Sequence, residues 1–112
     1  QIDMKHRITL PQLKKYDITQ KVIEALADAE SRTIIFTIIN NGKTASELST
    51  KLKIPLSSVY KKLSDLENLT LIEIEKTVLS ENGKRFKVFK SRINKAEILI
   101  RKPEPVLSLS AN

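Results

Sequence analysis

The spacing of apolar residues predicts four helices in the first two-thirds of the chain. Apolar side chains recur three or four positions apart there, which places them on one face of a helix. The predicted helices cover residues 18–29, 32–40, 44–52 and 56–68. The opposite face of each helix is more polar, as expected for helices that pack around one small core.

Polar residues and prolines mark the ends of these helices. Asp17 and Ser31 are the predicted N-caps of the first and second helices, and Asn41-Gly42 ends the second. Thr44-Ala45-Ser46-Glu47 is a capping box, in which the first and last residues satisfy each other's backbone N–H groups. Pro55 begins the fourth helix after a tight connection, because proline suits a first helical turn.

After residue 70 the apolar period changes to two. Residues 72–79 and 85–91 are predicted to be antiparallel strands joined at Asn82-Gly83, since both turn residues tolerate positive φ. In the tail, β-branched residues favour a strand over a helix at 96–101. Residues 102–112 are predicted to be a loose end, because Pro103 and Pro105 interrupt regular structure.

The order of these elements predicts an α+β, mainly α fold. Helix, helix, short helix, turn, helix and hairpin make a winged helix-turn-helix, with a three-helix core, a β-hairpin wing and an extra N-terminal helix. We expect an N-terminal arm at 1–16 and the winged helix-turn-helix domain at 17–92. Residues 93–112 would be a C-terminal extension with a candidate dimerisation strand and a loose tail.

The segment TASELSTKLKIPLSSVYKKLSDLENLTLIE, followed by TVLSENGKRFKVFKS, resembles the ArsR-like and MarR-like winged helix-turn-helix transcriptional regulators of bacteria and archaea. The resemblance covers about residues 18–92 and implies DNA binding. Two positions depart from the family pattern. Lys53 stands where glycine is usual in the turn, and Pro55 stands where a serine or threonine usually caps the recognition helix.

Charge points to a polyanionic partner. The chain has 20 basic and 13 acidic residues, a formal net charge of +7. The segment 84–92 carries cations and no acid, in the order Lys84, Arg85, Lys87, Lys90, Arg92. A basic stripe on a small domain indicates nucleic acid, and the alternative is a lysine-rich solvated surface.

The sequence predicts no enzyme, cofactor or metal site. There is no cysteine and His6 is the single histidine, so the metal-sensor sites of ArsR-like proteins cannot be built. The two glycines, Gly42 and Gly83, are explained by a helix end and a turn rather than a phosphate loop. No signal peptide or membrane span is predicted, which makes the cytoplasm the expected location. No small-molecule effector can be assigned.

The resemblance implies that helix 56–68 lies in the major groove of double-stranded DNA while the wing, residues 79–87, contacts the backbone or minor groove. The expected DNA-binding residues are Lys43, Thr44, Ser46, Leu56, Ser57, Ser58, Tyr60, Lys61, Lys62, Lys84, Arg85 and Lys87. Lys61 suits a guanine edge, Lys62 a phosphate and Arg85 a narrow minor groove. Asp65 and Glu67 are expected to lie away from the duplex. The alternative is an ordinary amphipathic helix with a solvated face.

Apolar residues at both ends of the chain exceed what a three-helix core needs. They are Ile18, Val22, Leu26, Ile98 and Ile100. We expect a homodimer through these elements, with recognition helices roughly 34 Å apart; alternatively, they complete the monomer core.

A second function remains open, a winged-helix protein–protein adaptor in a transcription or other nucleic-acid assembly. Leu56 at a reading position and the zero net charge of helix 56–68 favour it.

Overall fold

The computed structural model describes the backbone of residues 10–112 and the side chains of residues 18–112. Its helices are α1 (Leu10–Ala27), α2 (Ala29–Thr37), α3 (Ala45–Leu52) and α4 (Leu56–Asn68). Its strands are β1 (Ile72–Leu79), β2 (Arg85–Ser91), β3 (Ile93–Leu99) and β4 (Val106–Ala111). The predicted α+β, mainly α fold with a hairpin wing is confirmed. His6 and most of the predicted N-terminal arm lie outside the described residues.

One apolar core holds the helices and the first hairpin together. Ile34 of α2, Leu48 of α3 and Val59 of α4 have no exposed surface, and Phe89 of β2 is 6% exposed. Burying an aliphatic side chain of this size stabilises the fold by roughly 1.5–3 kcal/mol, so these residues fix α4 against the other helices. The outer face of α4 is thereby turned away from the core.

The first helix starts earlier than the sequence predicted. It begins at Leu10, and Asp17 lies inside the helix rather than at its N-cap. An aspartate can cap a helix but does not stop one, and Pro11 is compatible with a first turn because its missing N–H would have no partner there. The predicted boundary between an arm and a domain at residue 17 therefore falls within one continuous helix.

Asp28, not Ser31, caps α2. The Asp28 carboxylate accepts hydrogen bonds from the Ser31 backbone N–H (3.0 Å) and hydroxyl (2.7 Å). The Arg32 guanidinium donates to the Leu26 carbonyl (2.7 Å) at the end of α1. These bonds satisfy both helix ends at one corner and shift α2 to residues 29–37.

The helix-turn-helix connection follows the capping-box prediction and contains one strained residue. Thr44 Oγ1 accepts from the Glu47 N–H (3.2 Å), and the Glu47 carboxylate accepts from the Thr44 N–H (2.9 Å), which lowers the pKa of Glu47. Lys53 adopts a left-handed conformation, with φ 56° and ψ 42°. Such a conformation costs a non-glycine residue roughly 1–2 kcal/mol. The Ser49 hydroxyl donates to the Ile54 carbonyl (2.6 Å) and closes the turn.

The predicted wing strands are confirmed, but their turn differs in detail. β1 and β2 pair antiparallel from Ile72↔Ser91 to Leu79↔Arg85. The Gly83 N–H donates to the Ser80 carbonyl (3.0 Å), and Gly83 alone has positive φ, at 82°. This is a three-residue loop with glycine at the left-handed position, rather than a turn in which Asn82 also takes positive φ.

The predicted loose tail is instead a strand. β4 pairs antiparallel with β3, from Leu99↔Val106 to Ile93↔Ala111. The Asn112 side chain then donates to the carbonyls of Ile39 (2.8 Å) and Ser91 (3.0 Å) and fastens the end of the chain. The two prolines lie in the connection between strands, where the lack of an N–H removes no ladder bond.

Candidate nucleic-acid interface

A cleft runs between α4 and the wing, with the start of α3 at its border. Five of the residues predicted to bind DNA line it together, namely Thr44, Ser46, Tyr60, Arg85 and Lys87. We call this surface the wing cleft. Ala45, Leu63, Ser64, Glu67, Phe86 and Phe89 complete its lining. The fold therefore gathers hydroxyls, a phenol and two cations from three separate elements.

The periodicity of α4 explains which side chains reach the wing cleft. Val59, Leu63 and Leu66 form its buried face. Tyr60 and Ser64 lie one turn apart on the side facing the wing, and Tyr60 keeps 53% of its surface exposed. Because i and i+4 side chains lie above one another on a helix, this face presents a continuous polar stripe beside the wing cations.

The first turn of α4 is open to solvent. Pro55 precedes it and supplies no side-chain cap, so the N–H groups of this turn have no such partner. Leu56 and Ser57 are exposed and Ser58 is half-buried. The N-terminus of a helix carries a partial positive charge and free donors. This turn can therefore accept a phosphate or a base acceptor.

Lys61 is exposed and weakly held. Its Nζ lies 3.7 Å from Asp65 Oδ2, and both side chains are mostly exposed, at 79% and 60%. An exposed i, i+4 pair stabilises a helix only slightly, so Lys61 can exchange this partner for another anion.

Lys62, in contrast, is directed at the α1–α2 corner. Its Nζ lies 2.8 Å from Asp28 Oδ2 and 3.6 Å from Glu30 Oε1, and 22% of its side chain is exposed. The hydrogen bond from Lys62, together with those from Ser31, lowers the pKa of Asp28 to about 2, and the bond with Asp28 raises the pKa of Lys62. The phosphate contact predicted for Lys62 does not fit this placement.

The same shift determines how pH affects this corner. The pKa of Asp28 is depressed on folding, from 3.8 to about 2, so its stabilising contribution is present above about pH 4. That contribution is lost as the pH falls through the folded value. Near neutral pH the Lys62–Asp28 pair is fully ionised, and it fixes the inner side of α4.

The remaining predicted cations lie beside the wing cleft. The Lys43 backbone forms a two-way bridge with Phe89, through bonds of 3.1 and 2.9 Å, which joins the start of α3 to β2. Lys84 is exposed at the wing tip, where its N–H donates to Ser80 Oγ (3.1 Å). Both lysines belong to segments that border the cleft, although neither lines it.

Two glutamates, Glu67 and Glu47, lie in or beside the wing cleft. Glu67 lines the wing cleft, so the prediction that it lies away from the contact surface does not fit. Asp65 does not line the cleft and pairs with Lys61. Glu47 places its carboxylate on the Thr44 N–H at the start of α3, where the resemblance implied a phosphate. Ser46, exposed beside it, is the freer donor there.

Sequence reasoning omitted Ser64 and Phe86 from the candidate site, although both line the wing cleft. Ser64 could have been found from its i+4 spacing to Tyr60. Phe86 alternates with Arg85 and Lys87, and it pairs with Val78 across the wing. A large aromatic residue between two cations on an exposed strand is the signal for it, since it is 37% exposed.

Comparison with known proteins supports the fold. No family model matches this sequence, and no curated protein is similar to it in sequence. Among solved structures, it is similar to the crystal structure of NolR from Sinorhizobium fredii, with a TM-score of 0.58 and 15% identity. The match covers 77% of this chain and 80% of NolR. At this identity the likeness shows a shared winged-helix fold.

The described part of the chain offers neither a metal-binding cluster nor a membrane-spanning helix. Among the side chains of residues 18–112, no group of three or more histidine, cysteine, aspartate or glutamate residues could hold a metal ion. None of the helices described there is long and apolar enough to cross a membrane. The wing cleft gathers two cations, a phenol and several hydroxyls, a chemistry that suits a polyanionic partner.

The residues assigned to a dimer divide into two groups. Val22 and Leu26 are 4% and 6% exposed and belong to the monomer core, as the alternative prediction held. Ile18, Ile98 and Ile100 are exposed, at 58%, 40% and 71%. Only the second group is available to another molecule.

Proposed function

We propose that this protein is a sequence-specific double-stranded DNA-binding transcriptional regulator. The observation that carries the proposal is the wing cleft, where Arg85 and Lys87 of the wing and Tyr60 of α4 line one surface. A helix-turn-helix offers its second helix to the major groove, whose width of about 12 Å admits a helix. The winged-helix fold shared with NolR supports this assignment.

In the proposed complex, α4 enters the major groove by its first turn and outer face. Lys61 reads a guanine edge, Leu56 can contact a thymine methyl group, and Ser57 binds phosphate or a base acceptor. The wing contacts the backbone or the minor groove through Lys84 and Arg85. Phosphate contacts supply affinity for all sequences, whereas base contacts discriminate among them.

The regulator is proposed to act as a homodimer in the cytoplasm. Two copies related by a two-fold axis would place two α4 helices about 34 Å apart, which matches one turn of a palindromic site. Binding there would block polymerase or recruit it. The chain resembles ArsR-like and MarR-like regulators but, having no cysteine, lacks their thiolate sensor chemistry.

Lys61 and Lys62 provide a matched test of the orientation of α4. A preferred sequence is first selected from genomic fragments, and affinities for that sequence and for scrambled DNA are then measured. Lys61→Gln should reduce the preference by roughly 5- to 150-fold, because a good base contact contributes about 1–3 kcal/mol of discrimination. Lys62→Gln removes the same charge one residue away, but from the inner side, and should leave the preference nearly unchanged. Equal losses would contradict the assigned orientation.

A protein–protein adaptor is the second candidate. Leu56 is 41% exposed at the first turn of α4, and the helix carries no net charge, which suits a protein partner. The two candidates differ in their response to salt. Binding to mixed duplex DNA that weakens steeply with salt supports the regulator, while no such binding at micromolar protein supports the adaptor.

A further inference from the structure

The outer edge of β4 serves neither the core nor the wing cleft. β3 and β4 form a sheet of only two strands. Within residues 10–112, no other strand donates or accepts a backbone hydrogen bond along β4. The outward N–H and C=O groups of such an edge are a template for a further strand, and a two-stranded hairpin alone is only marginally stable.

The two outer edges of this sheet differ in their protection. Lysines, other charges, prolines and bulges discourage strand pairing at an edge. β3 carries Lys95 and Glu97 and has a register shift between Ile93 and Lys95. β4 contains neither a charged residue nor a proline. The edge of β4 is therefore the one that can accept another strand.

Five exposed apolar side chains lie on the same hairpin or its connection, namely Ile98, Leu99, Ile100, Val106 and Leu109. Cross-strand partners share a face, so the pairs Ala96↔Leu109 and Ile98↔Leu107 form one apolar face. Ala96 and Leu107 pack against the core, but Ile98 and Leu109 are 40% and 42% exposed. Contiguous apolar surface of this kind marks a place where another molecule packs.

We propose that β4 pairs antiparallel with β4 of a second copy of this chain, forming a four-stranded sheet across a two-fold axis. The inference rests on the dimer of the proposed function and names its interface. Antiparallel pairing of identical strands closes after two copies. A second copy fits because its β4 is equally uncharged, and because the pairing makes the two half-exposed apolar faces continuous.

The side-chain pattern selects the register. With the axis at Ser108, Leu107 lies opposite Leu109 of the second copy, and this pair occurs twice. With the axis at Leu109, that leucine would lie opposite itself, and Leu107 would lie opposite the smaller Ala111 in each half. The first register forms two leucine–leucine pairs where the second forms one, and it brings Ser108 opposite the same residue of the second copy on the other face of the sheet.

Two lysine substitutions test the interface in the full chain without DNA. Ser108→Lys places like charges opposite each other at the axis and should weaken the dimer roughly fivefold or more, as measured by sedimentation equilibrium. Asn94→Lys adds the same charge to β3 of the same hairpin and should leave the dimer unchanged. Both residues are exposed, so circular dichroism should show both variants folded.

A cysteine variant gives a second measurement that does not depend on weakening the dimer. The chain has no cysteine, so Ser108→Cys introduces a single thiol. Residues directly opposite in antiparallel strands are close enough for a disulfide. Mild oxidation of dilute protein should link Ser108→Cys chains into a covalent dimer and leave Asn94→Cys chains mostly unlinked.

The outcomes separate this inference from the proposed function. If the wild-type protein is still a monomer at roughly 100 µM, the β4 interface is overturned, because a specific dimer should have a dissociation constant well below that concentration. A dimer that resists Ser108→Lys but is broken by Ile18→Lys also overturns the β4 interface, since that places the interface on α1. If salt-sensitive DNA binding persists in either case, the wing cleft assignment stands. A β4 dimer without any DNA binding leaves this interface intact and overturns the proposed function instead.

Discussion

The hairpins β1–β2 and β3–β4 follow each other along the chain, separated only by Arg92. Both are antiparallel two-stranded sheets with a register shift near the core end. They differ in chemistry. β2 carries Arg85, Lys87 and Lys90, whereas β4 carries no charged residue. The same architecture thus carries a cationic strand in one hairpin and a neutral strand in the other.

This difference in charge would keep the two proposed interaction surfaces apart. Cations on the wing repel a second wing and attract phosphate, so the wing cannot readily pair with its own copy. The neutral edge of β4 has no charge to prevent self-pairing and little to hold a polyanion. Ser91 joins the two hairpins, and its buried hydroxyl donates to the Ile93 carbonyl (2.6 Å).

The largest expected effect comes from removing wing charge. The double variant Arg85→Gln, Lys87→Gln should bind DNA roughly 10- to 100-fold more weakly near 0.15 M salt, because its binding would release about two fewer counterions from the DNA. The slope of log affinity against log salt should become shallower by up to about 1.8. Fluorescence anisotropy with a labelled duplex over a salt series measures both quantities.

The second hairpin supplies the matched control for that experiment. Lys95→Gln, Arg101→Gln removes two exposed cations from the hairpin that does not border the wing cleft. We expect its affinity and salt slope to stay close to the wild-type values. If both double variants lose DNA affinity equally, that affinity depends only on the total charge of the chain, and the distinction between the hairpins fails.

The next effect concerns the base of the wing. A Cβ on Gly42 would lie 2.7 Å from Val88 Cγ1 and 3.1 Å from the Phe89 carbonyl oxygen. Gly42→Ala should therefore lower the free energy of unfolding by about 1–3 kcal/mol, as overpacking does elsewhere. Urea unfolding measures the loss. Hydrogen exchange should quicken more in β1–β2 than in β3–β4, and equal quickening would show that the hairpins are not separate units.

The two hairpins also differ in how far the sequence predicted them. An approximate alternation of apolar and polar residues, together with Asn82-Gly83, predicts both wing strands with their observed bounds. The sequence does not predict β4, because Pro103 and Pro105 indicate an end of regular structure, whereas in the structure they lie in the connection between β3 and β4. The alternation Leu107-Ser108-Leu109-Ser110 is itself a strand signal, but a segment that follows two prolines so closely resembles an irregular tail.

The same contrast holds for single residues of the candidate site. The cap formed by Thr44 and Glu47 involves four consecutive positions, so local chemistry was sufficient to predict it. The pairing of Lys62 was not predicted, because its partner, Asp28, lies 34 positions away at a corner whose geometry no local pattern encodes. Tertiary contacts decide which of two adjacent lysines faces outward.

The smallest effect separates the wing tip from the wing base. Gly83 has φ of 82°, and a Cβ there would meet nothing within 4 Å. Gly83→Ala should therefore cost only the conformational penalty, about 1 kcal/mol, measured by urea unfolding. Gly83→Asn should cost less, because asparagine tolerates the left-handed region.

Since no atom is displaced, the tip variant should loosen the Ser80–Lys84 loop without disturbing β2 near Phe89. Its DNA affinity should fall less than that of the Arg85, Lys87 double variant, because both cations remain and only their positions become less well fixed. A loss as large as that of the double variant would mean that the tip conformation, rather than the wing's charge, distinguishes this hairpin from β3–β4.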